Sequence, residues 1–246
     1  MKNTLTQLRQ QIDSIDQEIK ELIKKRSYII DDVIKVKHNQ PVKTRFAREL
    51  LQSAKILQED YGNYNPIFIH QIWRYLITAT LEYECNGLKA GIYCQDANVA
   101  PLVYNTLTNY FSTFIDIIQF SNIKDMIKSI NHYHTEMCAI NALDIEIIDI
   151  LLKYQSIKIN AKLPFFKNKY TRDCQVFILG KAKIEPSIND VSCFIIENQE
   201  INKVSNYQIL LQNDDYTLIN IPGLHFQLST TNGLFAGAYG NIDKQY

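Results

Sequence analysis

The sequence lacks several features that would assign it to a common class of protein. Its 26 basic and 26 acidic residues cancel, so no overall field favours nucleic acid or an anionic membrane as a partner. It has no window of eighteen uncharged apolar residues, and its start, MKNTLTQL, has no apolar segment typical of a secretion signal. We therefore expect a cytoplasmic protein without a membrane span.

Paired cysteines are also lacking. The five cysteines are spaced widely and irregularly, and none belongs to a C-x-x-C pair, which argues against a disulfide framework and against a zinc site. His132 and His134 have no cysteine or carboxylate cluster beside them, so a loop or a strand edge is the better interpretation of this pair. The sequence therefore predicts neither a metal nor any other cofactor.

What the chain does contain is a long amphipathic segment at its start. From Leu8 to Val36 apolar residues recur at alternating steps of three and four, which predicts one helix from about Thr4 to Lys37. A helix of about 34 residues spans ~50 Å, which is more than a domain of this size can cover. The pattern therefore implies a partner chain, and a coiled-coil scaffold is the rival interpretation.

Three cations on this helix suggest an anion site. Arg26 interrupts the apolar side, where an unpaired charge costs several kcal/mol, so it needs a carboxylate of the protein or of a ligand. Lys37 lies ~16 Å further along the same face, close enough for both side chains to hold one small molecule. Arg9 lies ~25 Å away in the other direction and could join such a site only from an antiparallel partner helix.

Two shorter helices are predicted next, within RFARELLQSAKILQEDY and IFIHQIWRYLITATLEYE. On one face of the second lie Ile69, Ile72, Trp73, Leu76, Ile77 and Thr80. If these helices pack around Arg26, the site gains Arg48, Glu49, Glu84 and the hydroxyl of Thr80, but no nucleophile. That set suits a small dianion and a reaction driven by electrostatic positioning.

The pattern changes at Asn86-Gly87, which divides the sequence into a helical domain at 1–86 and an α/β domain at 87–246. Apolar strands then alternate with amphipathic segments, which predicts a mixed α/β lobe with a largely parallel sheet. Helices are predicted at APLVYNTLTNYF, NIKDMIKSINHY and DIEIIDILLKYQ. Strands are predicted at LKAGIY, FIDIIQF, TEMCAINA, SIKINAKLPF, CQVFILGKA, VSCFIIEN, YQILLQ, YTLINI and HFQLST, before the glycine-containing segment NGLFAGAYGN.

The N-terminal helices carry a family resemblance. LRQQIDSIDQEIKELIKKR, followed by KVK, PV and RE and by a helix ending in WRYLITATLEYE, resembles the all-helical chorismate mutases over about the first 85 residues. The resemblance implies an intertwined homodimer of three-helix protomers. It also implies an isomerase reaction, the rearrangement of chorismate to prephenate in phenylalanine and tyrosine biosynthesis, a part of the shikimate pathway.

By position, the resemblance assigns roles to the cations of the first helix. Arg9 of the partner chain and Arg26 would each hold one carboxylate of the substrate. Lys37 would contact the ether oxygen of the bond that breaks.

The resemblance also assigns roles in the second and third helices. Arg48 would support the pocket, Glu49 would accept the ring hydroxyl, and Thr80 would line the carboxylate end. Glu84 falls where many relatives have glutamine, and it could stabilise the ether oxygen only as a neutral acid that donates a hydrogen bond. PVKTRFARE holds one residue more before Arg48 than familiar members of the family.

The second half resembles a shortened prephenate dehydratase domain of the kind fused to alphaproteobacterial mutases, through LKAGIY, KLPFF and YTRDCQVFILGKA. The glycine-rich and glutamate-asparagine-serine segments of such dehydratases are absent, so we interpret Thr171-Arg172 as a structural remnant and this domain as catalytically inactive. It could bind an aromatic amino acid as effector, dock a partner or stabilise the dimer. A non-catalytic protein that senses an amino acid or binds a partner is the alternative to the enzyme.

Overall fold

A computed structural model describes residues 4–37, 45–132, 135–167, 174–229 and 231–242. The chain divides into two compact units, Met1–Val42 and Lys43–Tyr246. The predicted helix α1 (Leu5–Lys37) forms the described part of the first unit, and all other helices and strands belong to the second. The predicted residues His134, Thr171 and Arg172 lie outside the described ranges.

The helices and strands of the second unit follow the predicted order closely. The helices are α2 (Phe46–Gln58), α3 (Pro66–Cys85), α4 (Ala100–Phe111), α5 (Ile123–Asn131) and α6 (Glu146–Lys153), with a 3-10 helix at Asn198–Lys203. The strands are β1 (Lys89–Tyr93), β2 (Asp116–Phe120), β3 (Met137–Asn141), β4 (Lys158–Leu163), β5 (Val176–Gly180), β6 (Val191–Glu197), β7 (Gln208–Gln212), β8 (Tyr216–Pro222) and β9 (Leu234–Tyr239). Among the described residues, no helix is long and apolar enough to cross a membrane.

Helix α1 is one continuous helix of 33 residues, as the apolar spacing predicts. The apolar side chains of the predicted repeat are exposed along its length, with Leu8 at 43 %, Ile15 at 55 % and Val36 at 86 %, whereas Ile30 and Ile34 are half-buried. A helix of this length measures ~50 Å. Soluble proteins rarely leave a continuous apolar surface of that size open.

Helices α2 and α3 share a hydrophobic core with the sheet. Leu50 of α2 and Leu81 of α3 belong to the same buried cluster as Leu88, Val103 of α4 and Ile178 of β5. These two helices therefore pack as part of the second compact unit. The boundary between a helical and an α/β domain at residues 86 and 87 therefore stays a prediction.

The face of α3 that is buried in this unit differs from the predicted one. Ile72 and Trp73 of the predicted face are 51 % and 38 % exposed. The buried positions are Ile67, His70, Arg74, Ile77, Thr78 and Leu81. Apolar side chains surround much of this helix, so the spacing of apolar residues does not select one face.

The described residues form a sheet of nine strands in the order β2-β1-β3-β5-β4-β9-β6-β8-β7. The pairs β1–β2, β1–β3 and β4–β9 are parallel, and the other pairs are antiparallel. The prediction of a largely parallel sheet is therefore wrong. Helices alternate with strands only as far as β4, and parallel neighbours need such long crossovers. The described residues between the later strands form no α-helix.

The end of the chain also differs from the prediction. The segment HFQLST forms no strand in its described residues, whereas NGLFAGAYGN contains β9. At Gly237 the backbone has φ +139° and pairs with Ile159 of β4, whose backbone a Cβ atom would meet. Glycine is the residue that permits this close approach.

Candidate functional site

The predicted site residues Arg9, Arg26 and Lys37 all lie on α1 in the first unit. Arg9 is exposed, Arg26 is half-buried, and Lys37 is the last residue of the helix. The helical rise places Arg26 ~16 Å from Lys37 and ~25 Å from Arg9 along the axis. A single α1 helix therefore cannot bring Arg9 beside Arg26.

The other four predicted residues lie on α2 and α3 in the second unit. Arg48 is exposed, whereas its neighbour Glu49 is buried. Thr80 is half-buried and donates a hydrogen bond to the carbonyl of Leu76 at 2.8 Å. Glu84 is also half-buried and lies one turn after Thr80, so these two side chains share a face of α3.

Glu49 belongs to a buried polar cluster with Arg74 and Tyr110, which we call the Arg74 cluster. Arg74 Nη1 donates to Glu49 Oε2 at 2.8 Å, and the Tyr110 hydroxyl donates to the same oxygen at 2.6 Å. Arg74 Nε donates to the Tyr110 carbonyl at 2.9 Å, and its guanidinium lies 3.7 Å from the centre of the Tyr110 ring. Three helices, α2, α3 and α4, therefore meet at one charged group.

Burial controls the electrostatics of this cluster. The side chains of Arg74 and Glu49 are only 1 % and 7 % exposed. Burial raises the pKa of Tyr110 well above its ordinary value, so the phenol stays neutral and acts as a hydrogen-bond donor. Glu49 is then the carboxylate that compensates the charge of Arg74, and removal of either partner would leave a buried charge alone.

The sequence did not lead us to predict Arg74 and Tyr110 as members of a buried polar cluster. Arg74 interrupts a stripe of Ile67, His70, Ile77 and Leu81, in the same way that Arg26 interrupts the apolar side of α1. That signal was present in the sequence, but the apolar residues on the other sides of α3 mask it. Tyr110 gives no signal of its own, because its partners are 36 and 61 residues away.

His70 is a second buried polar group that the sequence did not single out. It is 8 % exposed, and its Nε2 lies 3.0 Å from the hydroxyl of Ser53. Its ring packs edge-on against Phe166, with centroids 5.1 Å apart. Burial, assisted by the nearby charge of Arg74, lowers the pKa of His70 to about 4, so the imidazole is neutral near pH 7.

The Arg74 cluster predicts a large effect of Glu49→Gln on stability. The substitution leaves Arg74 buried without its carboxylate, so we expect the free energy of unfolding to fall by ~3–5 kcal/mol. Denaturant unfolding followed by circular dichroism measures this change. Glu59→Gln is the matched control, because Glu59 forms an exposed pair with Lys55 at 3.9 Å, and we expect less than ~0.5 kcal/mol there. Equal effects of both substitutions would contradict the assigned role of Glu49.

The environment of His70 predicts a dependence of stability on pH. Between its unfolded pKa of 6.5 and its folded pKa of about 4, the unfolded chain binds more protons, so stability rises with pH in this window. The contribution of neutral His70 to the free energy of unfolding is on the order of 3 kcal/mol. It is fully present above pH 6.5 and is lost as the pH falls towards 4.

His70→Gln keeps a hydrogen-bonding group toward Ser53 but cannot titrate. We expect the loss of stability between pH 6.5 and pH 4 to be smaller in this variant than in the wild type, as measured by urea unfolding across that range. Carboxylates that titrate in the same range contribute equally to both proteins. Identical pH profiles would contradict a neutral, buried His70.

Comparison with known proteins gives one family. Residues 8–85 match the model of the family described as chorismate mutase type II, which spans α1, α2 and α3. The comparison with curated proteins gives no match.

Two solved structures share a low similarity with this chain. One is described as GqqA, a novel type of quorum quenching acylase; it is 10 % identical, covers 63 % of this chain and 95 % of its own, and has a TM-score of 0.40. Another is transferrin 1 from Manduca sexta, 10 % identical, with 55 % and 18 % of the two chains covered and a TM-score of 0.22. By the family match, the helical segment at residues 8–85 is similar to the chorismate mutase type II family.

Proposed function

We propose that this protein is a chorismate mutase that converts chorismate to prephenate for the synthesis of aromatic amino acids. The observation that carries the proposal is the match of residues 8–85 to the chorismate mutase type II family. The continuous helix α1, which bears Arg9, Arg26 and Lys37, supports it. These cations suit a substrate with two carboxylates.

The proposed reaction is an intramolecular rearrangement. The ether carbon–oxygen bond of chorismate breaks while a new carbon–carbon bond forms, so no proton, nucleophile or cofactor has to take part. The protein must hold the compact conformer of the substrate and stabilise the negative charge that develops on the ether oxygen. Fixed cations and hydrogen-bond donors perform both tasks.

The cations of α1 have the central roles in this proposal. Arg26 binds one substrate carboxylate, and Lys37 donates to the ether oxygen. Arg9 binds the second carboxylate from the partner chain of a homodimer, because ~25 Å separates it from Arg26 on its own helix. The exposed apolar side chains of α1 supply the surface that such a dimer would bury.

Residues of α2 and α3 complete the proposed site. Arg48 supports the pocket, Thr80 lines its carboxylate end, and Glu84 donates to the ether oxygen as a neutral acid. Glu49 is proposed to accept the ring hydroxyl. Its Oε2 already accepts from Arg74 and Tyr110, so this contact would have to use the other carboxylate oxygen.

The decisive assay follows the loss of chorismate with purified protein. We expect turnover by the wild type and a fall in kcat/KM of at least about 100-fold in Arg26→Ala, because a charged contact to the substrate is lost. Lys25→Ala is the matched control: it removes an exposed cation from the neighbouring position of the same helix, and we expect less than about a twofold effect. A wild type without turnover would contradict the proposal.

Mixing variants tests whether Arg9 acts from the partner chain. Heterodimers of Arg9→Ala and Arg26→Ala chains would contain one intact site, so an equal mixture that has exchanged subunits should regain about a quarter of wild-type activity. Each variant alone should stay inactive. A mixture as inactive as its components would contradict a site shared between chains.

A second candidate function is a non-catalytic protein that binds an aromatic amino acid or a partner. The engagement of Glu49 in the Arg74 cluster favours it, since one oxygen of a proposed substrate contact is already bonded within the chain. The same assay separates the candidates. Stabilisation of the wild type by phenylalanine or tyrosine, without chorismate turnover, would support this second function.

A further inference from the structure

The carboxylate of Glu49 is held by donors from two other helices. Arg74 Nη1 of α3 and the Tyr110 hydroxyl of α4 both donate to Oε2, at 2.8 Å and 2.6 Å. Hydrogen bonds to such an oxygen prefer the plane of the carboxylate, so two donors on one oxygen restrict how the group can rotate. The direction of the second oxygen, Oε1, therefore depends on α3 and α4 together.

Tyr110 is itself held firmly in place. Its side chain is buried, and its ring packs edge-on against Phe111 and Phe165 with centroids 4.6 Å and 5.0 Å apart. Its carbonyl accepts from Arg74 Nε at 2.9 Å. Burial raises the pKa of Tyr110 well above its ordinary value, so the hydroxyl keeps its proton near pH 7. Glu49 thus has a donor whose position is set by the core around α4.

The pair of Arg74 and Glu49 uses less of the guanidinium than such pairs usually do. Arginine and a carboxylate favour two parallel hydrogen bonds. Here Nη1 donates to Oε2, while Nη2 is buried and has no hydrogen-bond partner among the described residues. A rotation of the carboxylate that brought Oε1 to Nη2 would complete the second bond, and the bond from Tyr110 to Oε2 opposes that rotation.

We propose that Tyr110 is a positioning residue of the mutase site. Its hydroxyl holds Oε2 in the single contact with Arg74 and so directs Oε1 toward the ring hydroxyl of chorismate. Without this hydroxyl the carboxylate turns to bind Nη1 and Nη2 together, which withdraws both oxygens from the substrate. The inference rests on the proposed function, because it requires that Glu49 contacts the substrate.

Tyr110 lies outside the segment that matches the mutase family. That match ends at residue 85, whereas Tyr110 belongs to α4, whose Val103 and Leu107 share a buried cluster with Ile178 of the sheet. The α/β part of the chain therefore contacts a proposed substrate residue directly. In this proposal its role is to set the affinity of the mutase site for its substrate.

The first test is the kinetics of Tyr110→Phe, which removes the hydroxyl and keeps the ring beneath Arg74. A contact to the ring hydroxyl exists in the bound substrate and in the transition state alike, so its loss raises KM and spares kcat. We expect KM for chorismate to rise about tenfold, as for a lost hydrogen bond to a charged group, and kcat to change less than about twofold. Tyr104→Phe is the matched control on the same helix, where the side chain is 49 % exposed, and it should change neither value.

An analogue of chorismate with hydrogen in place of the ring hydroxyl separates positioning from a general structural effect. The wild type should have a KM about tenfold higher for the analogue than for chorismate. Tyr110→Phe should change the KM for the analogue less than about twofold, because the contact that Tyr110 controls is already missing. An equal rise of KM for both substrates in Tyr110→Phe would overturn the proposal, and so would equal KM values for both substrates in the wild type.

The outcomes separate this inference from the proposed function. A wild type without chorismate turnover would contradict both. Turnover by the wild type with an unchanged KM in Tyr110→Phe would overturn the positioning role alone.

A measurement on the wild type covers the case in which Tyr110→Phe fails to fold. NMR spectra of the protein with tyrosine labelled with carbon-13 at Cζ report changes in the hydrogen bonds of each tyrosine hydroxyl. Prephenate keeps the ring hydroxyl, so its addition should shift the Cζ resonance of Tyr110 and leave that of Tyr104 in place. Equal shifts at both tyrosines, or no shift at Tyr110, would overturn the proposal.

Discussion

The charge of Arg74 is the constraint on which the second compact unit depends. This side chain is 1 % exposed, and a charge so deeply buried is tolerated only where partners surround it. Glu49 comes from 25 residues earlier in the chain and the Tyr110 carbonyl from 36 residues later. Through its Nε and Nη1 this guanidinium links α3 to α4 and α2, while its buried Nη2 has no hydrogen-bond partner among the described residues. The apolar core around Leu50, Leu81 and Val103 then forms on the same three helices.

This arrangement bears on the proposed function because α2 and α3 serve two purposes. Their buried faces belong to the core of the α/β unit, while Arg48 is exposed and Thr80 and Glu84 are only half-buried. The family match covers the same two helices together with α1. The proposed chemistry thus uses side chains that the core of the second unit leaves accessible. Glu49 is the exception, because it belongs both to the buried Arg74 cluster and to the proposed substrate site.

Much of this fold could be predicted from local sequence signals. The spacing of apolar residues gave α1 in full, and Asn65-Pro66 and Asn86 mark the ends of α3 as an N-cap and a left-handed C-cap. The features that could not be predicted depend on contacts between distant segments. Strand direction depends on which strands become neighbours, and β9 depends on its pairing with β6 and with β4. The buried face of α3 depends on which segments pack against it. For the site, the sequence indicated that Arg26 needs an anion, whereas the same signal at Arg74 is masked by the apolar residues on the other sides of α3.

We infer that α2 and α3 fold as one cooperative unit with the sheet, held by the Arg74 cluster. Native-state hydrogen exchange at increasing denaturant concentration tests this most directly, because it reports the free energy of opening for each segment. The account predicts that slowly exchanging amides in the middle of α2 and α3 open with the same free energy and the same denaturant dependence as those of β3 and β5. Opening of α2 and α3 at a distinctly lower free energy, while β3 and β5 stay protected, would contradict it.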